Sequence, residues 1–148
     1  MIARLLPVLA LALAAAFFGI AIYITLAEQP ARLALADGPS LEQWKISFGV
    51  GIVLQGVLTV VAGLAGLGTA WVLRDARWAV GGALMLANWP WTLLMVSPTN
   101  AALLATVAEA AGPESHSLIA HWGLVHSGRT AIALAALAVY FWAIARPR

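Results

Sequence analysis

Cysteine is absent from the 148 residues of the chain, which excludes disulfide bonds and metal sites built on thiolate ligands. Charged residues are also scarce, at 9% of the chain, whereas hydrophobic residues make up 63%. A soluble domain carries about 25% charged residues. This scarcity of charge predicts an integral membrane protein.

The chain also lacks a basic patch. Its eight Lys and Arg residues outnumber its six Asp and Glu residues by only two, and the basic residues stand at the ends of apolar segments. Nucleic-acid-binding domains present a basic face or stripe. We therefore expect no nucleic-acid partner, and we expect membrane lipid to surround the chain.

Four apolar segments are long enough to cross a bilayer, because about 20 helical residues span a hydrocarbon core about 30 Å thick. They cover residues 5–27, 48–73, 78–96 and 119–144. The first is longer than the apolar region of a typical signal peptide, so we expect it to be retained. The second has a helical lead-in from Leu41. The sequence predicts one all-α domain over residues 1–148, an integral membrane antiparallel four-helix bundle.

Basic residues predict the orientation of the bundle. One side of the membrane holds Arg4, Arg74, Arg77, Arg146 and Arg148. The other side holds Arg32 and Lys45, with Arg129 at the membrane edge. Because cytoplasmic loops are enriched in Lys and Arg, we expect both termini in the cytoplasm. The expected location of the protein is a bacterial inner membrane. The longer loops, at residues 28–46 and 97–118, then face outward.

Small residues four apart indicate where helices approach closely in lipid. Ala15 and Gly19 form one such pair, and Ala62 and Gly66 form another. Both pairs predict helix packing rather than a functional site.

Polar side chains on different spans converge at one depth. At a rise of about 1.5 Å per residue, five of these side chains lie about 25–35 Å from the inner end of their span. They are Glu28, Gln55, Asn100, His126 and Arg129. Ionisable groups in membrane proteins usually face the bundle interior or a cavity. We therefore expect a shared polar site near the outer face, with Arg32 beside it.

The fourth span carries most of the chemistry. Trp122, His126 and Arg129 are spaced four and three residues apart, so they share one helix face. His116, His121 and His126 follow at five-residue intervals, about 140° of helix rotation each. They do not form a stripe of metal ligands, and no metal site is expected.

The stretch NWPWT lies within the third span. Pro90 removes a backbone hydrogen bond and predicts a kink, which opens space between helices. Trp89 or Trp91 would then stack on a flat ligand. The alternative is a kink without a ligand, in which Asn88 and Thr92 satisfy the freed backbone groups.

Ordinary interpretations compete with a shared site. Arg129 near a helix end can snorkel to the interface. Glu28 and Arg32, four residues apart, can form a surface ion pair. Trp44 and Trp122 can be aromatic anchors at the membrane surface.

Four stretches, taken in order, carry a resemblance to a known family. They are EQPARLAL, QW at Gln43–Trp44, ANWPWTLLMVSPTN and HWGLVHSGRT. Together they resemble the four-helix membrane family of unknown function that includes the fungal anthrone oxygenases. Trp122, His126 and Arg129 match the family's pattern in the last stretch. Ala101 stands where the family often has a second Asn after the one matched by Asn100.

The resemblance implies an oxidoreductase that uses O₂ to convert an anthrone to an anthraquinone without a cofactor. His126 would remove a proton from the acidic CH₂ of the substrate. Arg129 and Asn100 would stabilise the oxyanion that forms, and Glu28 would orient His126 or pair with Arg129. A hydrophobic phenol or a quinol is equally compatible. The expected substrate-binding residues are Glu28, Arg32, Gln55, Trp89, Trp91 and Trp122.

A non-enzymatic function remains the alternative. A bundle of this size would serve as an accessory subunit, or as a lipid- or quinone-binding protein, in a larger membrane complex. Its apolar faces would then contact partner subunits or a second copy of the chain. A transporter is less favoured, because no internal repeat is evident and four helices leave little room for alternating access.

Overall fold

A computed structural model describes residues 2–145, and within that range the chain is almost entirely helical, without a strand. Arg146 and Arg148, on which the predicted orientation partly rests, lie outside the described residues, as does the side chain of Arg4. Four helical units are long and apolar enough to cross a membrane, and they cover Leu5–Leu33, Asp37–Leu73, Ala76–Ala105 and Pro113–Ala145. The expected all-α membrane fold is therefore confirmed.

Six α-helices make up these units. They are α1 (Ile2–Tyr23), α2 (Gln29–Leu33), α3 (Asp37–Leu73), α4 (Ala76–Trp91), α5 (Ser97–Ala105) and α6 (Pro113–Ala145). A π-helical segment, Ile24–Glu28, joins α1 to α2, and a second, Thr92–Val96, joins α4 to α5. A short 3₁₀ turn, Ala108–Ala110, precedes α6.

The outer segments differ from the prediction. The sequence predicts a loop at residues 28–46 with a helical lead-in from Leu41. The lead-in is present, and most of the remaining range is helical too, with only a short break between α2 and α3. Residues 97–118 were also expected to be a loop, yet α5 and the start of α6 occupy much of this range. In two of the units the helical backbone continues through a π segment and past a proline. These spans are therefore longer than hydropathy alone predicts.

The turn between α3 and α4 is as short as the sequence predicts. Arg74 ends α3 in the left-handed conformation, with φ of 51°. Asp75 then caps α4, because its side chain accepts a hydrogen bond of 3.0 Å from the backbone N–H of Arg77. A connection this short makes α3 and α4 neighbours, which is consistent with an antiparallel bundle.

The four long units pack in a ring. Contacts join α1 to α3, α3 to α4, α4 to α6 and α6 back to α1. Ala62 and Gly66 are buried, as the spacing predicts, and a Cβ added to Gly82 would lie 2.8 Å from the carbonyl oxygen of Gly63. Ala15 and Gly19 are different, because both are exposed on α1. The prediction that this pair packs against another helix is wrong.

Two apolar clusters form the core. The alanine-rich cluster includes Ala10, Ala14, Phe17, Ala21, Ala62, Met85, Ala133, Ala136 and Tyr140. The tryptophan cluster contains Leu41, Trp44, Val96, Leu103, Ile119, Trp122 and Val125. Small side chains dominate the first cluster, since helices in lipid gain stability from close backbone packing. A layer of buried polar side chains lies between the two clusters.

Candidate functional site

A cavity of about 40 Å³ lies in this polar layer. It stands toward the end of the bundle opposite the α3–α4 turn, because Gln55 is about 28 Å along α3 from Arg74. Seven of the predicted site residues line it. They are Glu28, Arg32, Gln55, Asn100, Trp122, His126 and Arg129. The convergence predicted from depth along four spans is thus present in the fold.

Both π segments contribute to the cavity wall. Ile24 and Glu28 come from the first, and Thr92 and Val96 come from the second. π segments inside α-helices occur frequently at functional sites. Neither π segment is predicted from the sequence. The two segments share one sequence feature, a proline two residues after the end of each, in EQP and in VSP.

An ion pair forms one side of the cavity. Nη2 of Arg32 lies 2.5 Å from Oε1 of Glu28, and the Arg32 side chain is only 1% exposed. Arg32 also donates to Gln29 at 2.7 Å, to Ser47 at 2.9 Å and to Gln43. Gln43 in turn donates to Glu28 at 3.0 Å. Arg32 is therefore buried and Glu28 is half-buried, so the predicted pair is present but lies in the cavity wall rather than on the surface.

This network has two consequences for the sequence predictions. Glu28 bonds to Arg32 and Gln43, so the expectation that it orients His126 or pairs with Arg129 is wrong. Glu28 and Arg32 are predicted site residues, whereas Gln29, Gln43 and Ser47, which complete the network, are not. Neutral polar residues at helix ends resemble ordinary interfacial residues, so the sequence offered no distinct signal for them.

A second contact fixes α2 against α6. Nε2 of Gln29 donates a hydrogen bond of 2.7 Å to the carbonyl of Ile119. The Gln29 side chain also lies directly over Gly123, where an added Cβ would clash with it. Because Gln29 also accepts from Arg32, this contact holds the ion pair in place beside the fourth span.

His126 faces the cavity without a protein partner. It is only 1% exposed, and neither Nδ1 nor Nε2 has a hydrogen-bond partner among the described residues. Its ring stacks on Trp122, with centroids 4.7 Å apart and planes inclined by 25°. Buried polar atoms in folded proteins are almost always hydrogen-bonded. An imidazole held by stacking alone therefore has both nitrogens available to a ligand.

Trp122 is the centre of the site rather than a surface anchor. Its Nε1 donates a hydrogen bond of 2.8 Å to Oδ1 of Asn100. The guanidinium carbon of Arg32 lies 5.4 Å from the Trp122 ring centroid, and Trp44 packs edge-on at 6.0 Å. Trp44 is itself fully buried. The interpretation of both tryptophans as aromatic-belt anchors is wrong.

Arg129 is a buried cation at the opposite wall. Its guanidinium carbon lies 5.2 Å from the ring centroid of Phe17, and its Nε has no hydrogen-bond partner among residues 2–145. Among residues 2–145, Arg129 takes part in none of the ion pairs Glu28–Arg32, Asp75–Arg77 and Asp37–His116. The side chain is 8% exposed and does not snorkel to the surface.

The site thus contains more positive than negative charge. Two guanidinium groups line the cavity, and Glu28 is the carboxylate that lines it. Oε1 of Gln55 is also buried without a partner. A buried charge without a counter-ion is costly, so the arrangement favours a ligand that carries an anionic or strongly hydrogen-bonding oxygen.

The remaining predicted tryptophans lie outside the cavity. Nε1 of Trp91 donates a hydrogen bond of 2.9 Å to the carbonyl of Val125, and its ring lies against Gly128. Trp91 therefore joins α4 to α6. Trp89 is 41% exposed and stands on the outer side of α4, beside Gly56 of α3.

Pro90 lies inside α4, and the second π segment follows immediately. Thr92 donates to the carbonyl of Asn88 at 2.7 Å. Asn88 donates to the carbonyl of Met85 at 3.1 Å. A π segment therefore follows Pro90, and both polar side chains bond to nearby backbone, as the alternative without a ligand predicts.

The three histidines occupy different surroundings. His116 lies 3.1 Å from Asp37, His121 is exposed, and His126 is buried in the cavity. This placement agrees with their five-residue spacing, which distributes them around the helix.

Comparisons with known proteins identify the family. The model of the anthrone oxygenase family matches residues 44–139. The matched range includes Asn100, Trp122, His126 and Arg129, whereas the Glu28–Arg32 pair precedes it. Searches of curated proteins and of solved structures found no match. Since the family match covers most of the chain, this membrane protein belongs to the anthrone oxygenase family.

Proposed function

We propose that the protein is a membrane oxygenase that oxidises an anthrone-type substrate with O₂. The observation that carries this proposal is His126, buried in a polar cavity with both ring nitrogens free of protein partners. Arg129, a cation outside every ion pair of the described residues, shares the cavity. A base beside a cation is the arrangement that proton removal next to a carbonyl requires.

The first step is a proton transfer. His126 takes a proton from the CH₂ group of the anthrone, and the electron pair moves onto the carbonyl oxygen to give an enolate. Arg129 stabilises the negative oxygen. Asn100 assists, because its Oδ1 is occupied by Trp122 and its Nδ2 is left to donate.

The second step consumes O₂. The electron-rich enolate carbon bonds to oxygen, and loss of water leaves a carbonyl at that carbon. Overall the anthrone loses two hydrogens and gains one oxygen atom, and the other oxygen atom leaves as water with those two hydrogens. The substrate supplies all four electrons that reduce O₂, so the reaction balances without another reductant.

Turnover by the purified protein tests this function. The protein in nanodiscs is mixed with 1,8-dihydroxyanthrone, and formation of the anthraquinone is followed by absorbance. We expect His126→Gln to lower kcat by about 100-fold or more, and His121→Gln, on an exposed position of the same helix, to match the wild type. Wild-type turnover no faster than spontaneous oxidation, or full activity of His126→Gln, would reject the oxygenase and leave the accessory-subunit function.

We also propose that both termini lie on the cytoplasmic side of a bacterial inner membrane. The basic α3–α4 turn supports this orientation under the positive-inside rule. The chain has no cysteine, so single cysteines report accessibility cleanly. In intact cells, a membrane-impermeant maleimide is expected to label Glu114→Cys and not Ala76→Cys. The reverse pattern would invert the orientation.

A further inference from the structure

An apolar groove lies on the outer side of α3 and α4. It has a volume of about 460 Å³, and its walls include Ile52, Val57, Val60 and Trp89. Val57 is 57% exposed, so this side of the bundle faces lipid in a membrane. Ligand pockets commonly measure about 300–1,000 Å³, and the groove falls within that range.

A small space of about 20 Å³, the gap, lies between this groove and the polar cavity. The gap shares Ile52, Gly56 and Trp89 with the groove. It shares Ile52, Thr92 and Arg129 with the cavity. Ile52 thus borders all three spaces, which lie side by side between the outer surface of α3 and α4 and the Arg129 side chain.

The two larger spaces differ in size and in chemistry. The cavity, at about 40 Å³, holds about three water molecules and is too small for three fused rings. The groove has the volume for an aromatic body but is almost entirely apolar in its lining. A ligand that uses both must place one oxygen-bearing edge near Arg129 and leave its flat body between the helices.

Gly56 and Trp89 stand where the groove meets the gap. A Cβ added to Gly56 would lie 3.4 Å from Cζ2 of Trp89. The absence of a side chain at Gly56 therefore lets the Trp89 ring lie close against α3 at this point. Asn88 lines the gap behind it, and its Oδ1 is buried without a partner, so the path carries a hydrogen-bond acceptor.

We infer that the substrate dissolves in the bilayer and reaches the cavity sideways, between α3 and α4. Its apolar rings occupy the groove against Trp89, and its oxygen-bearing edge reaches Arg129. This inference rests on the proposed function and adds the route by which the substrate enters. The adjacent positions of the groove, the gap and the cavity support this route, rather than apolar exposure alone.

Two pairs of matched variants test this path in phosphatidylcholine nanodiscs. Gly56→Leu fills the narrow point, and Gly68→Leu adds the same side chain on the same helix where nothing lies within 4 Å. Val57→Trp fills the groove from its lipid side, and Val50→Trp adds the same ring at an exposed position outside it. The second pair leaves the helix interior untouched, so it remains informative if Gly56→Leu fails to fold.

Two readouts are needed. One is the KM and kcat for 1,8-dihydroxyanthrone, and the other is direct binding of 1,8-dihydroxyanthraquinone followed by its visible absorbance. We expect Gly56→Leu and Val57→Trp to raise KM and to weaken binding by about tenfold, with kcat within about twofold of the wild type. Gly68→Leu and Val50→Trp are expected to behave as the wild type. Groove variants that bind and react normally would overturn the inference.

The two readouts separate this inference from the proposed function. If turnover depends on His126 but is unchanged in both groove variants, the oxygenase function stands and the lateral path is rejected. Binding that is lost in the groove variants, in a protein without turnover, would keep the path and reject the oxygenase.

Discussion

Nε1 of Trp122 donates a hydrogen bond of 2.8 Å to Oδ1 of Asn100, and this bond links α6 to α5 inside the bundle. The same indole ring stacks on His126 at 4.7 Å. One side chain therefore fixes two others. It orients the Asn100 amide so that Nδ2 is left to donate, and it holds the imidazole without using either ring nitrogen.

Trp122→Phe separates these two contributions. The smaller ring still packs against His126, but it cannot donate to Asn100. A hydrogen bond contributes about 1 kcal/mol net, so kcat for anthrone oxidation is expected to fall by about fivefold to tenfold. Trp142→Phe, at a side chain that is 51% exposed, is the control and should keep wild-type kcat. Unchanged kcat in Trp122→Phe would show that the orientation of Asn100 does not matter to the reaction.

Arg32→Met tests the buried ion pair. The substitution leaves the Glu28 carboxylate in the bundle without its counter-ion, which costs about 3–5 kcal/mol. Thermal unfolding in detergent should therefore show a large loss of stability. The double variant Glu28→Gln with Arg32→Met removes both charges and should recover most of that loss, since the two sites are coupled. A single variant as stable as the wild type would mean that Glu28 is solvated from the cavity.

Gly82→Leu tests the close approach of α3 and α4. The obstacle is the Gly63 backbone oxygen, 2.8 Å from the position of an added Cβ, and backbone cannot rotate out of the way as a side chain does. Overpacking costs about 1–3 kcal/mol or more, so the melting temperature should fall. Gly19→Leu places the same side chain in lipid, where nothing lies within 4 Å, and is expected to melt as the wild type. Equal melting of both variants would contradict the tight crossing.

Depth along the spans was the feature that the sequence predicted best. Hydropathy locates the four spans, and a rise of about 1.5 Å per residue then places polar groups by depth without any knowledge of side-chain contacts. Gln55, His126 and Arg129 lie on regular helices, so both their depth and their common cavity follow. The spacing of four and three residues also put Trp122 on the His126 face correctly.

Partners within the site were harder to predict. Face assignment by 3.6 residues per turn does not hold through a π turn, and Glu28 ends one such segment. The contact expected with His126 or Arg129 is therefore absent, whereas the alternative pairing with Arg32 is the one that forms. Gln43 is not among the predicted site residues, because a neutral amide near a helix end gives no distinct signal in the sequence. Trp91 looked equally suited to a ligand or to packing until its bond to Val125 was seen.

Arg129→Met is expected to have the opposite effect on stability from the same substitution at Arg32. Arg129 is buried outside the ion pairs of the described residues, so its charge costs free energy that no carboxylate offsets. Replacing buried charge by an apolar side chain of similar volume often stabilises by about 1–4 kcal/mol.

The gain in stability should come with a loss of function. Without the guanidinium the developing oxyanion loses its cation, and removal of one such stabilising group lowers kcat by about 100- to 1,000-fold. Thermal unfolding and anthrone turnover of Arg129→Met, measured beside Arg32→Met, check both expectations. A loss of stability as large as that of Arg32→Met would show that groups within the fold already offset the charge of Arg129. The positive charge of the cavity would then not indicate a ligand site.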